Sequence, residues 1–105
     1  MFLENHCSHR RAYKVEADFA DPIWCADCNW NLDIDDFSIS DELREEFDQW
    51  VEQYQKKIRL QKKCSSPNLL QFVSEHNEIG RRLAERLEQE LGGNVSVTFV
   101  PISHI

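Results

Sequence analysis

Apolar residues along the chain follow two rhythms. Tyr13, Val15, Ala17 and Phe19 alternate with Lys14, Glu16 and Asp18, the period-two pattern of a strand with one buried face. Asp21-Pro22 breaks it. Ile23-Trp24-Cys25 leads into a turn at Ala26-Asp27 and Cys28-Asn29-Trp30-Asn31-Leu32 leads out, which predicts a short hairpin-like knuckle. The rhythm then lengthens: Leu43, Phe47, Trp50, Val51, Tyr54 and Ile58 recur at spacings of three and four, one apolar stripe of an amphipathic helix reaching about Leu60. Ser40 suits its start, because a hydroxyl accepts from an orphan amide, and Asp41 and Glu42 complement the positive end of the dipole. Lys62-Lys63-Cys64-Ser65-Ser66-Pro67 reads as a connection, with Ser66 suited to an N-cap and Pro67 to the first helical position. Leu69, Phe72, Val73, His76, Ile79, Gly80, Leu83, Leu87 and Leu91 form a second helical stripe, ended by Gly92-Gly93. Gly80 is its weak position, costing up to about 1 kcal/mol relative to Ala unless another backbone packs closely there. Val95, Val97 and Phe99 alternate with Ser96 and Thr98 as a last strand able to pair with the one near Tyr13.

The expected fold is α+β in one domain, residues 1–105. Residues 1–37 make a zinc knuckle with short strands; residues 38–105 make two long amphipathic helices and a C-terminal strand pairing back on the N-terminal strand. A chain of 105 residues supports one core with little margin. Its apolar runs fall far short of the ~20 residues that cross a bilayer, and its first residues lack the basic-then-apolar order of a secretory signal. The expected location is therefore cytoplasmic, where four cysteines read better as metal ligands or free thiols than as disulfides.

Twelve Lys and Arg against nineteen Asp and Glu give a net charge of −7, a field that repels phosphate backbones and attracts basic partners. The charge is also ordered. Residues 33–52 carry nine acids and one base, and residues 53–64 carry five bases and no acid. That order complements the helix dipole without any partner. It also offers two surfaces: Asp33, Asp35, Asp36, Glu45, Glu46 and Glu52 for a basic protein, or Lys56, Lys57, Arg59, Lys62 and Lys63, joined by Arg81, Arg82 and Arg86, for a nucleic acid.

Two ligand pairs stand in the first third. His6-Cys7-Ser8-His9 and Cys25-Ala26-Asp27-Cys28 are separated by residues 10–24. A Cys-x-x-Cys turn holds two sulfurs on one side of a tight bend, fit for adjacent corners of a zinc tetrahedron, and Cys7 and His9 face one side of an extended segment. The expected ligands of a structural Zn2+ are Cys7, His9, Cys25 and Cys28, with His6 as the substitute for His9. Four protein ligands leave no open position for catalysis. The rivals are plain thiols and a redox dithiol, which an acid at Asp27 disfavours. Cys64 reads as a free thiol in a connection, His76 as a satisfied core histidine, His104 as solvent-exposed, and the three Trp as cover for the knuckle and the core.

The segment from Cys7 to His9 followed by Asp21-Pro22-Ile23-Trp24-Cys25-Ala26-Asp27-Cys28 resembles zinc knuckles of the treble-clef and zinc-ribbon type. It also resembles short bacterial proteins in which such a knuckle precedes a helical region. A ubiquitin-tail-binding zinc finger has a similar pattern with additional Cys and His ligands that this chain lacks. The resemblance covers about residues 6–32 and implies metal, not function. No phosphate-cradling loop, nucleophile elbow or deaminase-type His-x-Glu is present, so binding is expected and catalysis is not. The expected role is an acidic zinc-binding interaction module, an adaptor or an inhibitor such as an immunity protein against a basic toxin. The alternatives are a nucleic-acid-associated zinc protein and a dithiol oxidoreductase. The expected partner is a protein, with nucleic acid disfavoured and no membrane.

Overall fold

The computed structural model describes residues 11–63 and 69–102, with side chains described to Leu60 in the first helix. Strands β1 (Ala12–Val15), β2 (Ile23–Cys25) and β3 (Asn31–Leu32) come first, and a single 3-10 turn over Ile34–Asp36 follows. Helices α1 (Asp41–Lys63) and α2 (Leu69–Leu91) then precede β4 (Ser96–Phe99). The sheet order is β3-β2-β1-β4, antiparallel except where β4 runs parallel to β1. This is the expected α+β arrangement, with the last strand returning to the first.

Register decides which side chains enter the core. Tyr13 pairs with Cys25 and Val97, and Val15 pairs with Ile23 and Phe99, so all six share one face of the sheet. The helices bury that face. Leu43, Phe47, Trp50 and Val51 of α1 and Leu83, Ala84 and Leu87 of α2 complete a single core with Tyr13, Val15, Ala17, Ile23 and Ile34. Each fully buried large side chain contributes about 1.5–3 kcal/mol of transfer free energy.

The helix ends follow the local chemistry. Leu43 N–H donates to Ser40 Oγ at 3.1 Å, the expected cap. At the far end of α2, Gly92 and Gly93 take φ of 64° and 60°, a left-handed stop closed by Gly92 N–H on Glu88 O at 2.9 Å. The Ser66-Pro67 start lies outside the described residues.

Two expectations need correction. The alternation that continues to Phe19 does not make strand beyond Val15, because Glu16 N–H donates to Pro22 O at 3.0 Å and closes the β1–β2 connection. Phe19 is consequently 56% exposed. At Gly80, aromatic rings and not a backbone fill the space: a Cβ there would stand 2.6 Å from Trp50 Cζ2 and 2.8 Å from Phe99 Cζ.

Candidate functional site

The acids of residues 33–46 gather where α1 begins and α2 finishes, and Asp48 and Glu52 continue the run toward the middle of α1. Some serve the fold. Asp33 Oδ1 accepts from Asp35 N–H at 2.9 Å, and Glu90 accepts from both Ser40 N–H (2.7 Å) and Ser40 Oγ (2.9 Å), tying the start of α1 to the end of α2. Those bonds, the backbone one first, hold Glu90 below the usual carboxylate range. Arg86 reaches across from α2 to Glu46 at 3.0 Å and Glu42 at 3.5 Å on α1, and meets Glu90 one turn on along α2 at 3.5 Å. Its hydrogen bond to Glu46 strengthens its charged state further. Arg44 pairs with Asp41 at 2.7 Å and with Asp35 at 3.4 Å.

Other acids keep their charge uncompensated. Asp48 is pushed up, first by burial and then by the negative charges of Asp21, Asp35 and Glu45, which Arg44 only partly offsets. Among the described residues Asp36, Glu45 and Asp48 make no ion pair. Asp48 and Asp21 line a shallow cleft of about 310 Å³ together with Pro22, Val51, Glu52 and the exposed Phe19. Carboxylates around an apolar floor and an aromatic rim suit the stem and head of a lysine or arginine from another protein.

The expected basic surface is not assembled in the same way. Arg86 is committed to Glu42, Glu46 and Glu90, and Arg81 is paired with Glu78. Lys56 approaches Glu52 at 3.8 Å, and Lys57 lies over the Phe72 ring at 5.3 Å.

Between these regions sits an aromatic block that the sequence pattern located but did not describe. The His76 ring stacks on Trp50 at 4.4 Å and 9°, and on Tyr54 and Phe72, each at 5.5 Å. The residue is buried, yet its Nε2 has no hydrogen-bond partner among the described residues, so it is not the satisfied core histidine expected. Burial without a partner pushes its pKa down to about 4, keeping it neutral. Trp50 Nε1 donates to His76 O at 2.9 Å, which fixes the helix crossing.

The proposed zinc ligands divide. His6, Cys7 and His9 lie outside the described residues, as do Cys64 and His104. Cys25 and Cys28 do share the expected hairpin turn, closed by Asn29 N–H on Cys25 O at 2.8 Å with Asn29 at φ 63°. The two thiols differ in setting: Cys25 is buried on the helix-facing side in register with Tyr13, and Cys28 is exposed. Among the described residues no group of three or more His, Cys, Asp or Glu could hold a metal ion. Trp24 donates to Glu16 O at 3.1 Å, and Trp30 is 47% exposed. Among the described residues no helix is long and apolar enough to cross a membrane.

A search of the curated proteins returned no match. A family model described as Serratia CdiI immunity protein-like matches residues 11–102, which takes in the sheet, both helices and the acidic end. The zinc-knuckle resemblance gains nothing from this match, which begins after the first ligand pair. The chain belongs to the Serratia CdiI immunity protein-like family.

Proposed function

We propose that the chain is an immunity protein that binds and neutralises a cationic protein toxin in the cytoplasm, without catalysing a reaction. The family match over residues 11–102 carries this reading, since CdiI immunity proteins bind a toxin partner. The charge supports the sign of the partner: a net −7, with Asp48 and Asp21 lining the cleft beside Phe19 and Glu45 adding its unpaired charge to the field at Asp48, steers a basic surface toward that cleft. The test is rescue of bacterial growth when the chain is co-expressed with each of a panel of cationic toxin domains. Rescue is expected for at least one, with binding that weakens as salt rises and that drops by about tenfold or more in the double variant Glu45→Lys, Asp48→Lys. Absence of rescue and of binding across the panel would overturn the reading.

A structural zinc held by Cys7, His9, Cys25 and Cys28, with His6 in place of His9 as the alternative, is a second proposal. The closed backbone turn that carries Cys25 and Cys28 supports it, since it brings two ligand positions close together; the buried Cys25 thiol would have to turn toward Cys28 to share an ion. Metal analysis of the full chain is expected to find zinc, lost in Cys28→Ser and Cys7→Ser and in one of His6→Ala and His9→Ala. Equal metal content in all four variants, or none in the parent, would remove it.

A further inference from the structure

Among the described residues the sheet ends at β4, since the strand order is β3-β2-β1-β4. In a parallel pair, alternate residues of a strand turn their N–H and C=O toward the neighbour, and the residues between turn theirs away. Ser96 N–H donates to Arg11 O at 2.8 Å and Val100 N–H to Val15 O at 2.9 Å. That alternation assigns Ser96, Thr98 and Val100 to β1 and leaves the backbone groups of Val97 and Phe99 on the outer side. One of those donors already meets a surrogate acceptor, Val97 N–H on the exposed carboxylate Glu88 Oε2 at 3.3 Å.

Sheet edges are ordinarily blunted by lysine, proline, a bulge or extreme shortness. β3, at the other edge, is two residues long and is blunted by its length. β4 reads Ser-Val-Thr-Phe, carries none of these devices, and meets proline only at Pro101. Beside it runs a groove of about 450 Å³, with Ala84, Val97, Phe99 and Pro101 supplying apolar walls and Arg81 and Glu85 the rim. A strand added to β4 would place every second side chain on the helix-facing side, next to this groove. Arg81 is paired with Glu78, so Glu85 on the rim and Glu88 at the strand edge beside Val97 set the local sign.

We propose that β4 is a docking edge that takes an extended segment of the toxin as a fifth strand, a segment alternating apolar residues with lysine or arginine. The partner's chemistry follows from the surface: backbone groups ask for an extended chain, the groove for apolar side chains, and Glu85 and Glu88 for bases. A second copy of this chain is the poorer occupant, because each copy carries −7. The proposal rests on the toxin-binding reading and adds to it where the toxin is held.

Residue-resolved amide hydrogen exchange tests it, with two probes: a short peptide alternating lysine with valine, and any cationic toxin domain that the rescue experiment identifies. Exchange at Val97 and Phe99 is expected to slow by at least about tenfold in the bound state. Val97→Pro removes an outward N–H without touching a bond to β1, so it is expected to weaken binding by at least about tenfold while the fold survives. Thr98→Pro breaks the β1 ladder and serves as the destabilised contrast. If Val97→Pro does not fold, exchange in the parent chain still decides the matter. A toxin complex in which Val97 and Phe99 exchange as in the free chain would overturn the docking edge and leave the toxin reading standing. Protection by the peptide with no toxin rescued would support the edge and count against the toxin reading. Protection that needs no probe and accompanies a two-copy particle in sedimentation would assign the edge to self-association and overturn the proposal, as would no protection by either probe.

Discussion

The aromatic block around His76 and the charged end around Arg86 are built on the same two helices, yet different forces hold them. At the first, Trp50, Tyr54, Phe72 and Phe99 close on His76 and Gly80, with the rings stacked or tilted and the backbone of His76 clamped by Trp50 Nε1. At the second, Arg86 spans three carboxylates that water reaches, and Ser40 and Glu90 join the two helix ends. Buried apolar contacts gain from losing water, whereas exposed ion pairs gain little because water competes for both charges. The stability of the α1–α2 packing therefore resides in the aromatic block. The charged end adds little to stability and ties the start of α1 to the end of α2.

Trp50→Ala should break this comparison most severely. It opens a cavity between the helices, leaves His76 O without its donor and costs about 3–5 kcal/mol, measured as a lowered midpoint of urea unfolding. Next comes pH. His76 has a pKa of about 4 in the fold against 6.5 for the ordinary side chain, so the unfolded chain binds more protons between those values. Stability is then full above about pH 6.5 and falls as pH drops toward 4, by up to about 3 kcal/mol from this residue. Comparing unfolding free energies of the parent and His76→Phe across that window should show the parent's slope flattened in the variant. An unchanged slope would assign the acid sensitivity elsewhere.

Gly80→Ala sharpens the contrast, because helix propensity alone forecasts a gain of up to about 1 kcal/mol. The Trp50 and Phe99 rings leave no room for the methyl, so the expected outcome is a net loss of about 1–3 kcal/mol in thermal or denaturant melts. The smallest effect belongs to Arg86→Ala. Its removal leaves Glu42, Glu46 and Glu90 facing one another, and a slight loss of stability at low salt should vanish as ionic strength rises. A large, salt-independent loss would mean that the charged end also carries the fold.

Much of this architecture is legible in the order of the amino acids. The stripe Leu43, Phe47, Trp50, Val51 sets the face that α1 buries, Ser40 marks its start, and Gly92-Gly93 marks the end of α2. Periodicity misleads at Phe19, where alternation continues past a strand that backbone bonding ends at Val15. Charge order misleads at Arg86, which it groups with a basic surface, since linear order cannot show that Glu42 and Glu46 lie opposite on the neighbouring helix. For the candidate site, the acidic run is visible as composition. Which carboxylates stay uncompensated is not, because that depends on where Arg44 and Arg86 reach.

The chain by itself determined most of its elements and core-facing residues and the sign of its net charge, because periodicity, capping chemistry and net charge are local or additive properties. Tertiary structure alone decided that β4 lies parallel to β1 at the edge of the sheet, that two rings fill the space beside Gly80, and that His76 is buried with no partner for its Nε2 among the described residues. Each of those facts depends on residues far apart in the chain meeting in space, and pairing, packing and desolvation act between such neighbours regardless of their order.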